Sequence, residues 1–191
     1  MQTTAGIFEI ITWLWIGTFI IWAIGSLVTK QTIGSSSDWQ SRLSVWVIGL
    51  SWWLLLDRRI PGVLATSFVP MSLPVIYGGV ALTVAGLVLA LWGRFYLGGN
   101  WSAQVELKRD HRLIRTHPYA IVRHPIYSGF MLVALGTAFV CGELHELLAF
   151  VLILISWPWK SRLEEAFPVA QFGAEYDQYR QQVKGLILFV W

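Results

Sequence analysis

Uncharged apolar runs alternate with short polar breaks along most of this chain. The first run, residues 10–28, carries no charge over 19 positions. As a helix it reaches roughly 28 Å, about one hydrocarbon core. No basic stretch precedes it and no small-residue cleavage pattern follows, so it reads as a membrane helix and not a cleaved leader. Residues 43–56 form a second apolar run, short unless it borrows flanking residues, and "DRRIPG" ends it with charge, proline and glycine. A third spans 74–92, where Gly78, Gly79, Ala81, Ala85 and Gly86 permit close helix packing. Two further short apolar runs, 127–140 and 147–159, flank "CGELHE" and predict a helical hairpin.

Between the third and fourth runs the character changes. From Arg94 to Pro125 the chain is polar, basic and aromatic. Thirty-two residues are too many for an idle connection, and long loops in compact units are usually functional or disordered. The aromatic and aliphatic content argues against disorder. "LGGN" inside it reads as a turn. The tail from Lys160 onward is charged and amphipathic, and "GLILFVW" at the end reads as an interfacial anchor. There is no internal repeat. The predicted organisation is three N-terminal membrane helices (1–93), then a polar loop, hairpin and C-terminal helix forming one unit (94–191).

Composition turns this pattern into a class. The chain is 55% hydrophobic and 13% charged, whereas soluble domains are about one quarter charged; mean hydropathy is +0.58. The expectation is an all-α, multi-pass integral membrane protein with about five transmembrane helices and a cytoplasmic amphipathic C-terminal helix. Twelve tryptophans, many near run ends, fit an aromatic belt. The net charge of +3 is small, but its placement is informative. With five spans and an outer N-terminus, twelve Lys and Arg fall inside and only Arg58 and Arg59 outside. The long loop and the tail then share the cytoplasmic face. One cysteine, Cys141, excludes a disulfide within the chain and a cysteine metal cluster.

Candidate chemistry lies at that face. The loop supplies His111, Arg112, Tyr119, Arg123, His124 and Tyr127; the tail supplies Glu164 and Glu165. Ionisable groups at the ends of membrane helices are costly unless solvated or paired. Pro118 and Pro125 impose a shape on the loop. Lys160 and Glu164 are four apart and share a helix face; Arg162 and Glu165, three apart, share another. One pair can face a cavity while the other forms an ordinary salt bridge, and spacing leaves open which. The four histidines show no metal-ligand spacing, and His145 falls at the opposite membrane face. No dinucleotide fingerprint follows a strand. Basic and aromatic residues beside a bilayer point to lipid headgroups, not nucleic acid.

The stretch "NWSAQVELKRDHRLIRTHPYAIVRHPIYSGF", followed by "EEAFPVAQFGAEYDQY", resembles the isoprenylcysteine carboxyl methyltransferase family, which belongs to a wider group with the phospholipid N-methyltransferases. The resemblance covers roughly residues 94 to 184. It implies S-adenosyl-L-methionine as cofactor, held by Gln104, His111, Arg112, Leu113, Ile114, Tyr119, His124, Pro125, Ile126, Tyr127 and Glu164. It implies a lipophilic small-molecule or lipidated acceptor, most simply a carboxylate, drawn from the membrane, with no metal and no nucleic acid. Lys160 stands where the family has an arginine near the substrate, with Arg162 close by. His117 stands where the family usually has glycine. An ionised carboxylate needs no general base and would be positioned by Lys160 or Arg162; an amine would need one, and His124 is the candidate. The rival readings are a phospholipid N-methyltransferase, a nicotinamide-dependent membrane reductase, and a non-catalytic membrane scaffold or small transporter. Polar groups clustered at one edge disfavour a transporter.

Overall fold

The structure, a computed structural model, describes residues 2–27, 32–35, 39–101, 106–108 and 113–186. Its long helices are α1 (Gln2–Ser26), α2 (Trp39–Leu56), α3 (Leu73–Leu97), α5 (Pro125–Cys141) and α6 (Leu144–Phe172). Two short helices, α4 (Pro118–Ile121) and α7 (Ala174–Gln182), complete the set. Strand β1 (Thr32–Ser35), after α1, pairs antiparallel with β2 (Glu106–Lys108), which ties the first polar break to the long loop. The fold is therefore helical apart from this strand pair among the described residues.

Glu9–Ser26 and Leu73–Leu97 are long and apolar enough to cross a membrane, and Pro125–Cys141 is a shorter apolar helix. Large apolar side chains face outward along α1, α2 and α3: Trp13 is 69% exposed, Trp46 76% and Phe95 70%. A soluble monomer seldom tolerates such a surface; lipid does.

α3 and α5 make the closest packing. Their glycines approach backbone to backbone. A Cβ at Gly86 would lie 2.5 Å from the Gly129 carbonyl, and one at Gly129 would lie 2.5 Å from the Gly86 carbonyl. Gly79 and Gly136 repeat the pairing two turns away. Without side chains the backbones interlock, and dispersion contacts replace the hydrophobic drive that lipid cannot supply.

The hairpin turn is built at the other end. Gly142 ends α5 at φ 80°, a left-handed cap that favours glycine. Glu143 and Glu146 then form a capping box at the start of α6. His145 donates from Nδ1 to the Leu54 carbonyl at 3.1 Å, fastening α2 to α6. Nε2 of His145 lies 3.0 Å from Glu143. His145 is thus far from Lys160 along α6, as the sequence places it.

Several boundaries differ from the sequence expectation. α2 does borrow flanking residues and begins at Trp39. Arg94 is not the first residue of a loop: α3 runs through it to Leu97. Its guanidinium is buried because it donates to the Gly98 carbonyl (2.8 Å) and the Gly25 carbonyl (2.6 Å) and lies over the Trp101 ring. α6 does not stop at the membrane edge. It continues through Pro158 and Pro168 to Phe172, so the charged tail is its extension. The expected anchor at the C-terminus lies outside the described residues beyond Leu186.

Gly86→Ala or Gly129→Ala should each cost about 1–3 kcal/mol by overpacking, whereas Gly78→Ala, which meets nothing within 4 Å, should be neutral. Thermal unfolding in detergent checks the contrast.

Candidate active site

α5 begins at Pro125, the N1 position, where a missing amide hydrogen costs nothing. His124 precedes it as the N-cap. The residues just before, 122–124, are held by the tail: the Arg123 amide donates to the Lys184 carbonyl (2.8 Å) and the His124 amide to the Gly185 carbonyl (3.0 Å). The Arg123 guanidinium is buried and donates to the carbonyls of Arg180 and Val183. Tyr179 donates its hydroxyl to the Tyr119 carbonyl at 2.6 Å. The "VRHP" segment therefore has its shape fixed from both sides.

The two adjacent glutamates of α6 have separate tasks. Glu165 is buried, and its Oε1 accepts from Arg123 Nε at 2.9 Å and from His124 Nε2 at 3.0 Å. A carboxylate accepts, so Nε2 of His124 carries a hydrogen. Glu164, one helical step away, points elsewhere. It accepts from the Tyr127 hydroxyl and lies 3.7 Å from Lys160 Nζ. The Lys160 side chain is 8% exposed and that of Glu164 23%. Of the two pairs offered by helical spacing, Lys160–Glu164 forms and faces inward. Glu165 takes Arg123 and His124 as partners, and Arg162 is exposed on α6.

Lys160 stands at one end of a cavity of about 180 Å³. α1 contributes Trp15, Thr18, Phe19 and Trp22, spaced as one helix face. Trp52 comes from α2, Trp101 follows α3, Ile126, Tyr127 and Phe130 come from α5, and Trp157 joins Lys160 from α6. Phe130 is the hub of the rings: its centroid lies 5.0 to 6.3 Å from those of Trp15, Trp22, Trp52 and Trp157. Lys160 sits 5.9 Å from the Tyr127 ring, and Tyr127 stacks on His124. Trp157 Nε1 is buried with no hydrogen-bond partner among the described residues.

Of the other expected site residues, Pro125 and Ile126 are buried and Leu113 and Ile114 half-buried. Tyr119 is buried and spends its hydroxyl on the Gly93 carbonyl at 3.2 Å. Gln104, His111 and Arg112 lie outside the described residues. His117 adopts a backbone conformation that favours glycine, with φ 58° and ψ −127°, a region costly for a side chain. Its ring stacks on Tyr96 at 4.0 Å, which offsets part of that cost. Sequence reasoning missed the α1 wall and Trp52. The spacing of 15, 18, 19 and 22 was legible, but the rest of α1 is also apolar, so no contrast marked the inner face.

Helices with outward-facing apolar surfaces, an aromatic-lined cavity and ionisable groups beside it define an integral membrane protein with a candidate site at that cavity. The family model of the isoprenylcysteine carboxyl methyltransferase (ICMT) family matches residues 79–166, so the resemblance drawn from the motifs is borne out over that stretch. A protein-S-isoprenylcysteine O-methyltransferase of Schizosaccharomyces pombe is 43% identical over 91 residues, 45% of this chain and 38% of that protein. The Saccharomyces cerevisiae protein of the same name is 32% identical over 120 residues, 56% of this chain and 49% of that one. This chain therefore spans about half the length, or less, of these relatives. Among solved structures, the eukaryotic intramembrane Ras methyltransferase ICMT superposes with a TM-score of 0.53 at 26% identity, covering 78% of this chain and 53% of that one.

Glu165 lies beyond the apolar part of α6. Burial alone would raise its carboxyl, but the hydrogen bonds from His124 and Arg123 outweigh burial and pull it down to about 2. The folded state thus keeps the carboxylate ionised to lower pH than the unfolded chain. Its stabilisation is complete above about pH 4.5 and is lost as pH falls toward 2. Glu165→Gln should cost about 3 kcal/mol at neutral pH, and the gap to wild type should close through that acid window. Unfolding in detergent at stepped pH measures both.

Proposed function

We propose that this chain is an S-adenosylmethionine-dependent membrane methyltransferase whose acceptor is a lipophilic carboxylate, of the S-isoprenylcysteine kind that the relatives' name states. The observation that carries the reading is the position of Lys160: one buried cation at the polar end of a tryptophan-lined cavity, on the same helix as Glu164. Such a pocket matches a ligand with an apolar tail and an anionic head.

The residues also suit the cofactor. A sulfonium with a charged amine and ribose hydroxyls calls for a carboxylate beside an aromatic wall, and Glu164 with Tyr127 offers that. The first-turn amides of α5 point outward past His124 and suit the cofactor's carboxylate. His124, Pro125 and Ile126 would line that edge, with Leu113, Ile114, Tyr119 and the residues at 104, 111 and 112 around it. Bound S-adenosylmethionine supplies the activated methyl group.

The chain's own part is alignment and exclusion of water. Lys160 attracts the acceptor carboxylate into line, and the unpaired Trp157 N–H, one turn away, is a further donor for it. The aromatic lining lowers the local polarity and strengthens that attraction. An ionised carboxylate needs no proton removed, so His124 serves to shape the site through Glu165 and not as a base. A protonated amine headgroup would be repelled by Lys160, which disfavours phospholipid N-methylation. In this reading α1, α2, α3, α5 and α6 are the five spans, and the Lys160 end faces the cytoplasm, where the basic residues gather.

Glu164→Gln should weaken S-adenosylmethionine binding by about 1.5–3 kcal/mol with little loss of stability, read by isothermal titration against NADPH as the control ligand. Tight NADPH binding with none for S-adenosylmethionine would replace this reading by a reductase. Lys160→Ala should raise the acceptor KM or lower kcat and leave cofactor affinity unchanged, while Lys160→Arg is largely tolerated. Methyl-transfer kinetics with an S-prenyl cysteine carboxylate test it, and efficient methylation of phosphatidylethanolamine would overturn it.

A further inference from the structure

Tyr127 and Lys160 line the cavity beside Glu164, where the ionisable groups gather. Moving along α5 from Tyr127, Phe130 comes next and Thr137 lies ten residues on, about 15 Å deeper. Trp15 reaches across from α1 and donates from Nε1 to the Thr137 hydroxyl at 3.4 Å. Its ring lies nearly parallel to Phe130 (5°) and edge-on to Trp52 at 4.8 Å. Trp15 is 4% exposed and Thr137 1%. Thr137 is a polar group buried in an apolar helix, and the indole is its partner from another helix.

We infer that Trp15, pinned by Thr137, is the floor of the acceptor cavity and sets the longest apolar tail the protein accepts. The inference rests on the proposed acceptor class but not on the methyl transfer itself. Three features support it. The ring is held by a directional bond as well as by packing, so a tail cannot push it aside without leaving a buried N–H and hydroxyl unpaired. Trp15 belongs to α1, outside the family match at 79–166, so the floor comes from a part of the chain that the family model does not cover. The remaining rings line the sides: Trp22 and Trp101 meet edge to face, and Phe130 lies between Trp22 and Trp15. Thr137 acts here as a positioning residue for the Trp15 ring.

The test is a ladder of S-alkyl cysteine carboxylates whose tails lengthen stepwise, each bound to the full-length protein in detergent and followed by isothermal titration. Wild type should show affinity rising with tail length and then falling by about tenfold or more beyond one length. Trp15→Ala should move that break to longer tails. Thr137→Val, which removes the hydrogen bond but keeps the shape, should move it less and in the same direction. Trp15→Phe is included because it keeps a ring and should fold even where Trp15→Ala does not; it too should lengthen the accepted tail. A break at the wild-type length in folded Trp15→Phe and Thr137→Val would overturn the inference. Because binding is the readout, wild type that binds the ladder but transfers no methyl group would end the methyltransferase reading and leave the floor in place.

Discussion

A carboxylate buried beside a bilayer must find strong donors or give up its charge, and Glu165 finds two, a guanidinium and an imidazole N–H. Its oxygen joins Arg123 and His124, from the segment before α5, to the extension of α6. Arg123 in turn binds the carbonyls of Arg180 and Val183, so the tail is drawn into the same knot. Removing any member would leave another charge or donor buried without its partner, which costs more than the contact itself contributes. The placement of Tyr127, of the α5 N-terminus and of Glu164 all follows from this one closure. Glu164 is available to face the cavity because its neighbour has already met Arg123 and His124.

The interior above that knot is unusual in being aromatic on nearly every side while admitting one cation. Lys160 is shielded by Tyr127 and Glu164, which keep its charge tolerable in a desolvated place. The glycine seam between α3 and α5 matters here as well. By drawing those two backbones together it gives α5 a fixed wall to lean on, and the bulk of Phe130 and Tyr127 is directed toward α1 and α6.

Much of this was legible in the residues. Apolar runs located the five long helices, proline and glycine located the turns, and the "RHP" and "EE" motifs, which the fold brings together, marked the candidate site. Three things were not legible. Arg94 looks like a loop residue because a charge usually ends an apolar run, yet two helix-end carbonyls and a tryptophan face make burial affordable. The partner of Glu165 could not be read from spacing, since Arg123 lies forty-two positions away and beats the nearby Arg162 through tertiary contact. The strand pair joins two polar segments far apart in sequence and carries no alternation strong enough to announce itself.

α6 carries the wall residue Trp157, the cation Lys160 and both glutamates on one continuous helix of 29 residues. Each successive residue turns the helix by about 100°. A single residue inserted or deleted between Lys160 and Glu164 would therefore swing Glu164 away from Lys160's side by that angle, while leaving both side chains present. The pair is indexed like teeth on a gear: substitutions can be graded, but the count between these positions has no intermediate values.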